Sequence, residues 1–294
     1  MSKTIDLSII TISYNTKQLL DDCLCSIYQS LKDSPFVFEI IVIDNNSSDG
    51  SVVYLKKKYP NIRIIANAQN VGYGKANNQG VAAAFGKTIL LLNSDVVVLN
   101  KAIIKLYSYF ISLPSKSIAG GKLFNPDQTP QPSCGPGYTL FTIFIALFLK
   151  GDYIDITRYS PNTIKQVDWV MGACLMTGKS AFAEIGWFDE QIFMYMDEID
   201  LQYRAQKLGY KIYFYPKAHF IHLGAGSSQG RATPILNVFR GFIFYYKKHY
   251  SYVQLIALRI LLLFKSSLAI VLFTLLRKKS DQNLYFQALK IALS

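Results

Sequence analysis

Four short runs rich in Ile, Val and Leu alternate with helical patterns in the first third of the chain, and they constrain its fold more than any other feature. The runs are Leu7–Ser13, Phe38–Asp44, residues 62–66 and Thr88–Leu92. Each is the length of a strand and is apolar at consecutive positions, so both of its faces need cover. Residues 17–31 place Leu19, Leu20, Leu24, Ile27, Tyr28 and Leu31 on one side of a helix. Residues 48–58, with Ser47 or Ser48 as cap and Asp49 in the first turn, predict a second helix, and residues 75–85 a third. This βαβαβαβ order predicts an α/β fold, a mostly parallel sheet with helices on both faces.

Ligands of such sheets bind beyond the carboxyl ends of the strands. Those ends read Ser13-Tyr14-Asn15, then Asp44-Asn45-Asn46-Ser47-Ser48-Asp49-Gly50, then Asn67 to Gly74, then Asn93-Ser94-Asp95. All are polar and all converge on one edge. Asp44 suits hydrogen bonds from a nucleobase imide or a ribose hydroxyl, or it caps the loop before the next helix. Asp95 suits a divalent cation that bridges diphosphate oxygens, or it is a turn residue.

After Ser112 the pattern changes. Residues 138–149 carry no charge and are too short to cross a bilayer, which leaves a core helix or a segment at a membrane interface. Residues 168–177 predict a strand, and residues 182–188 a short helix and turn. Residues 210–215 and 219–223 predict two strands, ending in Gly224-Ala225-Gly226-Ser227-Ser228. His222 on the second is either structural or a ligand, and the glycines behind it allow close backbone approach to a diphosphate.

Between these elements lies Phe193-Met194-Tyr195-Met196-Asp197-Glu198-Ile199-Asp200-Leu201, with three carboxylates in four residues. Like charges this close repel, and a helix N-terminus is one place that favours them. One reading is the acidic start of a helix over residues 200–208; the other is a catalytic base.

The net charge is +12, and Lys247, Lys248, Arg259, Lys265, Arg277, Lys278, Lys279 and Lys290 cluster at the C-terminal end. There they mix with a long apolar stretch, residues 253–276. Basic charge among apolar residues suits an anionic membrane surface better than nucleic acid. Arg259 and Lys265 make a span costly and favour a helix in the interface; a packing or dimer helix is the other use. Cys23, Cys25, Cys134 and Cys174 form no CxxC pair and read as thiols without metal or disulfide duty. No long apolar stretch follows Met1, so the bulk of the protein is expected to face the cytoplasm.

Taken together, the chain resembles a family 2 glycosyltransferase of the bacterial rhamnosyltransferase-like branch. The likeness rests on Ile10-Thr11-Ile12-Ser13-Tyr14-Asn15, Ile43-Asp44-Asn45-Asn46-Ser47-Ser48-Asp49-Gly50 and the stretch from Asn70 to Gly80. Leu91-Leu92-Asn93-Ser94-Asp95, Trp169-Val170-Met171-Gly172-Ala173, Gly186-Trp187-Phe188-Asp189-Glu190, the acidic segment and His222 complete it.

The resemblance implies a GT-A fold, a Rossmann-like mixed sheet flanked by helices with a C-terminal apolar, basic helical extension. It implies a transferase domain over residues 1–240, split near 110 into a nucleotide-sugar half and an acceptor half, with residues 241–294 associating with the membrane. It assigns donor binding to Ser13, Tyr14, Asn15, Asp44, Asn46, Gly72, Lys75, Asn77, Asn93 and Ser94. Asp95 and His222 would hold Mg²⁺ or Mn²⁺, and Trp169, Gly172 and Ala173 would meet the acceptor. The family's usual acidic pair is Glu-Asp; here it is Asp197-Glu198, which makes Glu198 the base and Asp197 its substitute. Asn93 departs from the family's DxD pattern at its first position. The implied reaction is inverting transfer from a dTDP- or UDP-sugar to a glycan or polyprenyl-linked acceptor, at the inner face of the plasma membrane. A homodimer through the C-terminal helices is a further expectation. The rival readings are a non-catalytic sugar-binding scaffold of the same fold, and a sugar-phosphate nucleotidyltransferase. The latter needs a glycine-rich loop that Ile12-Ser13-Tyr14-Asn15-Thr16 lacks.

Overall fold

A computed structural model describes residues 4–224 and 232–294. The chain opens β1 (Leu7–Ser13), α1 (Lys17–Ser30), β2 (Phe38–Asp44), α2 (Ser51–Lys58), β3 (Arg63–Ala66), α3 (Tyr73–Ala83) and β4 (Thr88–Leu92). Here β3, β2, β1 and β4 lie side by side and parallel. Their side chains divide by alternation, as strand geometry requires. Leu7, Ile9, Ile40, Val42, Leu90 and Leu92 enter a core with α1 on one face. Ile10, Ile41, Ile43, Ile89 and Leu91 enter a second core with α3 on the other.

The predicted elements of this half are present, with shifted ends. The second helix starts at Ser51 and not at residue 48, because residues 44–50 form a loop. Asp44 Oδ2 accepts from the Ser47 amide at 2.9 Å, and Asn46 and Gly50 take φ of +67° and +77°, values incompatible with a helix.

The second half adds β5 (Val96–Val98), α4 (Ala102–Phe110), β6 (Ser117–Phe124), β7 (Cys134–Gly135), α5 (Leu140–Phe148), β8 (Lys165–Val167), β9 (Trp169–Val170) and β10 (Cys174–Gly178). Then come α6 (Lys179–Ile185), α7 (Asp197–Lys207), β11 (Lys211–His222), α8 (Ala232–His249), α9 (Tyr252–Leu275) and α10 (Lys279–Leu293). The main sheet has the order β3-β2-β1-β4-β10-β6-β11-β5, with β8 also on β11. Strand β10 runs antiparallel between β4 and β6, so the parallel arrangement expected from the first strands holds for β3, β2, β1 and β4, and the sheet as a whole is mixed, as the GT-A resemblance implies.

Three expectations are corrected here. The strand expected over residues 168–177 is two, β9 and β10, parted by a turn in which the Cys174 amide bonds the Met171 carbonyl. The strands expected at 210–215 and 219–223 are one, β11, whose register against β6 shifts between Tyr215 and His219. Pro216 lies in that shift, where its missing N–H breaks no ladder bond. The helix expected from residue 200 begins at Asp197, so all three carboxylates stand in its first turn.

The last three helices build a third core with α5, from Ile143, Phe239, Phe242, Tyr245, Tyr246, Leu258, Leu262 and Ala288. Helix α9 is long and apolar enough, by length and composition, to cross a membrane. Its two charged residues are turned inward. The Lys265 ammonium donates to the Leu147 carbonyl at 2.6 Å and Arg259 to the Ala292 carbonyl at 3.3 Å. Both carbonyls lie in last helical turns, where cations are favoured. The outer face then carries Ile256, Ile260, Phe264, Leu268, Val271, Leu272 and Leu275, all exposed.

Candidate functional site

Helix α7 is fixed by three attachments. Its entry, Tyr195 and Met196, takes two successive left-handed φ values of +67°, rare for residues with a side chain. The preceding turn is pinned where the Tyr73 amide donates to the Phe193 carbonyl, and a side chain on Gly72 would stand 2.7 Å from that oxygen. Within the helix, buried Gln202 makes a two-way bond to Val170 of β9, at 2.8 Å to its amide and to its carbonyl. On the far side Asp200, fully buried, bonds His249 at 2.6 Å, Lys248 at 2.9 Å and Arg204 at 2.8 Å.

Glu198, one turn before Gln202, therefore stands over Gly172, where a side chain on that glycine would meet the Glu198 Cβ at 3.4 Å. Asp197 lies beside it, 2 % exposed, with Oδ2 buried and without a hydrogen-bond partner among the described residues. Burial first, then the charge of Glu198, holds the Asp197 carboxyl well above the usual carboxylate range. Asp200 behaves oppositely. Burial raises its pKa, but His249, Arg204 and Lys248 overcome that and bring it to about 2.

Across the same cavity, β4 ends in Asn93-Ser94-Asp95. Pairing of β5 with β11 sets His222 opposite Val96, and so beside Asp95. His222 Nε2 lies 3.4 Å from Asp95 Oδ1 and 3.5 Å from Asn93 Nδ2. Gln131 fixes the ring. Its Nε2 donates to the Asn125 side chain and the His222 carbonyl, which leaves Oε1 to accept from His222 Nδ1 at 2.8 Å. The lone pair of Nε2 then points at Asp95. A carboxylate oxygen and an imidazole nitrogen facing each other at this distance fit a divalent cation whose other positions are oxygens. Among the described residues no third His, Cys, Asp or Glu joins them.

The cavity holds about 320 Å³. Of the residues singled out in the sequence, Asn93, Asp95, Trp169, Gly172, Ala173, Asp197, Glu198 and His222 line it. Tyr73, Met171 and Tyr195, which stand inside the quoted motifs without an assigned role, and Tyr138, at the head of the uncharged run, also line it; Arg158 and Phe242 line it too and carried no sequence signal. The Tyr73 hydroxyl donates to the Gly172 carbonyl at 2.8 Å. Burial, then the Asp197 and Glu198 charges, push its phenol well up and keep it a donor.

Other expected donor residues lie elsewhere. Lys75 turns away to pair with Glu190 at 3.1 Å, drawn to that surface carboxylate. Asn77 is buried, its amide on the Tyr73 carbonyl within α3. Gly72 serves the packing under Phe193. Ser13 and Ser94 are buried and linked through Thr16 at 3.0 and 3.2 Å, behind the Asn93–Asp95 turn. Tyr14, Asn15 and Asn46 are exposed in loops beside Asp44. Asp44 is itself buried, and its Oδ1 has no partner among the described residues. Residues 225–228, expected to follow His222 as a diphosphate loop, lie outside the described residues.

The Glycosyl transferase family 2 profile matches residues 8–134. An N-acetylglucosaminyl-diphospho-decaprenol L-rhamnosyltransferase of Mycobacterium tuberculosis is 27% identical over an alignment of 241 residues that covers 76% of this chain and 77% of that protein. The structure of S. aureus TarS 1–349 with UDP superposes with a TM-score of 0.57 at 18% identity, over 98% of this chain and 80% of that one. The structure of GalNAc-T7 with UDP, GalNAc and Mn²⁺ gives 0.59 at 15% identity, over 84% of this chain and 50% of that one. The fold is thus the GT-A fold.

The opposed carboxylates make a pH signature. Asp197 is protonated in the folded chain at pH values where the unfolded chain has released its proton. Its contribution is full below about 3.8 and is lost as pH rises. Asp200 contributes above about 3.8 and loses that contribution as pH falls towards about 2. Thermal melts should therefore show Asp197→Asn more stable than wild type at neutral pH, with the difference closing as pH falls. Asp200→Asn should be less stable at neutral pH by about 3–5 kcal/mol, the cost of breaking a buried ion cluster, with that difference closing in acid.

Proposed function

From a chain that belongs to the family 2 glycosyltransferases and is rhamnosyltransferase-like, we propose inverting transfer of a sugar from a nucleotide diphosphate to an acceptor hydroxyl. One observation carries the reading: Glu198 and the Asp95–His222 pair open into one cavity, with Gly172 and Ala173 between them. The Ala173 carbonyl accepts from the Asn93 amide at 3.1 Å, which ties this wall to the metal end.

The donor lies with its base at Asp44, whose unpartnered, buried Oδ1 supplies the acceptor that an imide N–H of uracil or thymine needs. Asp95 and His222 would hold a divalent cation, Mg²⁺ or Mn²⁺, with Gln131 keeping the His222 lone pair forward, and such a cation would supply positive charge for the leaving diphosphate. Glu198 takes the proton of the attacking hydroxyl. Its neighbour Asp197, held neutral by burial, adds no second charge beside it. One base suffices because direct displacement forms no covalent intermediate. TarS and GalNAc-T7, solved with UDP, support the donor class. The name of the M. tuberculosis relative supports a lipid-linked acceptor.

The exposed apolar face of α9 continues over Phe148 and Phe144 of α5, through ring contacts of 5.6 and 5.2 Å. Exposed Lys150, Arg277, Lys278 and Lys279 rim it. Apolar surface with a basic rim fits an anionic bilayer, and peripheral docking there brings the cavity to a membrane-borne acceptor.

Glu198→Gln should retain binding of the donor diphosphate and lose about 10² to 10⁴ in transfer rate. Wild-type turnover in that variant contradicts the assignment. In flotation with phosphatidylglycerol vesicles the wild-type chain should rise with the lipid, and an Ile260→Glu, Phe264→Glu, Leu268→Glu variant should stay behind. A wild-type chain that stays behind contradicts membrane docking.

A further inference from the structure

Resting on the reading of this cavity as a transferase site, we propose that Arg158 is the subsite for an anionic phosphate group of the acceptor, and that the apolar surface beside it receives the attached lipid. Residues 169–173 run along the cavity floor and order its parts. Ala173 touches the Asn93–Asp95 turn, Gly172 lies under Glu198, and Trp169 stands at the other end. Arg158 sits over the Trp169 ring at 5.7 Å, and Tyr138 stacks on that ring at 5.8 Å. The guanidinium is thus on the far side of the base from the metal end, where an acceptor must extend once its hydroxyl is at Glu198.

Arg158 is the one Lys or Arg among the described lining residues, facing a cavity with three carboxylates. Those carboxylates do not claim it, since no ion pair to it forms among the described residues. Its Nη2 donates to the Pro132 carbonyl at 3.2 Å, while its Nε–H is buried and without a partner. A buried cationic donor left unmatched is costly, and a phosphate oxygen is the partner a guanidinium fork fits best. A neutral sugar gives no reason for a charge at this position. An acceptor sugar joined through phosphate to a lipid gives one.

The surroundings match the rest of such a molecule. The segment leading to Arg158 packs on α5, where Gly151 leaves no room for a side chain beside Ile145. Around it Phe141, Phe144, Leu149, Tyr153, Ile154 and Ile156 are exposed. These apolar residues lie on α5 and on the segment that leads to Arg158, and Phe144 and Phe148 join them to Phe264 on the face of α9. A hydrocarbon tail leaving a phosphate at Arg158 meets them without crossing the donor end.

The test is titration calorimetry with farnesyl diphosphate and with farnesol, in EDTA so that the cation site plays no part, alongside UDP with Mn²⁺ as a measure of donor binding and of folding. Wild type should prefer the diphosphate by about tenfold or more, the scale of a charge-assisted hydrogen bond. Arg158→Gln should abolish that preference, Arg158→Lys should keep part of it, and both should bind UDP as wild type does. An Arg158→Gln variant that keeps the preference overturns the subsite and leaves a phospholipid acceptor standing. Equal loss of UDP binding overturns it by making Arg158 a donor contact. A wild type indifferent to the diphosphate overturns both the subsite and the lipid-phosphate acceptor, while donor turnover measured on the same sample still reports the transferase reading.

Discussion

The cavity depends on α7 being clamped at both sides. Gln202 joins it to β9 through both polar groups of the Val170 backbone, and Asp200 joins it to α8 through His249 and Lys248. Neither attachment tolerates sliding. A shift of one residue would turn Gln202 away from Val170 and leave the Asp200 carboxylate buried without its cations. Because the helix cannot move, Glu198 is held over Gly172 and Asp197 is held out of water. The strained pair Tyr195 and Met196 persists for the same reason, since the clamps over-determine where the helix begins.

Three adjacent carboxylates thereby acquire three environments. Asp200 is surrounded by cations and stays ionised, and it works for the architecture. Asp197 is buried without a cation and holds its proton. Glu198 lines the cavity beside Asp197, to which it is hydrogen-bonded. A cluster that looks like crowding in the sequence is relieved by neutralising one member and pairing another. Its cost to stability falls on Asp197, as expected of groups kept for chemistry rather than for folding.

Much of the first half was legible because its signals are local. Runs such as Phe38–Asp44 are too apolar to be anything but buried strands, and the polar residues after them mark one edge. The donor side is less legible in the sequence because chemistry-bearing residue types also serve packing. Lys75, Asn77 and Gly72 stand in a motif-like stretch, yet they meet Glu190, the Tyr73 carbonyl and Phe193. Gln131 and Arg158 carried no sequence signal at all. Each is a single polar residue in an irregular loop, and its meaning arises only when β11 or β9 brings His222 or Trp169 against it. The long apolar stretch near the C-terminus was ambiguous for a related reason. Only the fold reveals that Arg259 and Lys265 face helix ends, so that the other side of α9 is left without charge.

On the proposed reading the parts lie in a line along residues 169–173: the Asp95–His222 pair, Glu198 as base, then Trp169 with Arg158. Direct displacement in that arrangement needs the one base and no nucleophile. The central claim is therefore stereochemical. Proton NMR of the first-formed product, before any anomeric equilibration, reads the configuration of the new bond against that of the nucleotide-linked donor. An inverted anomeric centre is the result this arrangement predicts. Retention of configuration would contradict it, because it would place the attack on the face from which the diphosphate departs, not on the opposite face.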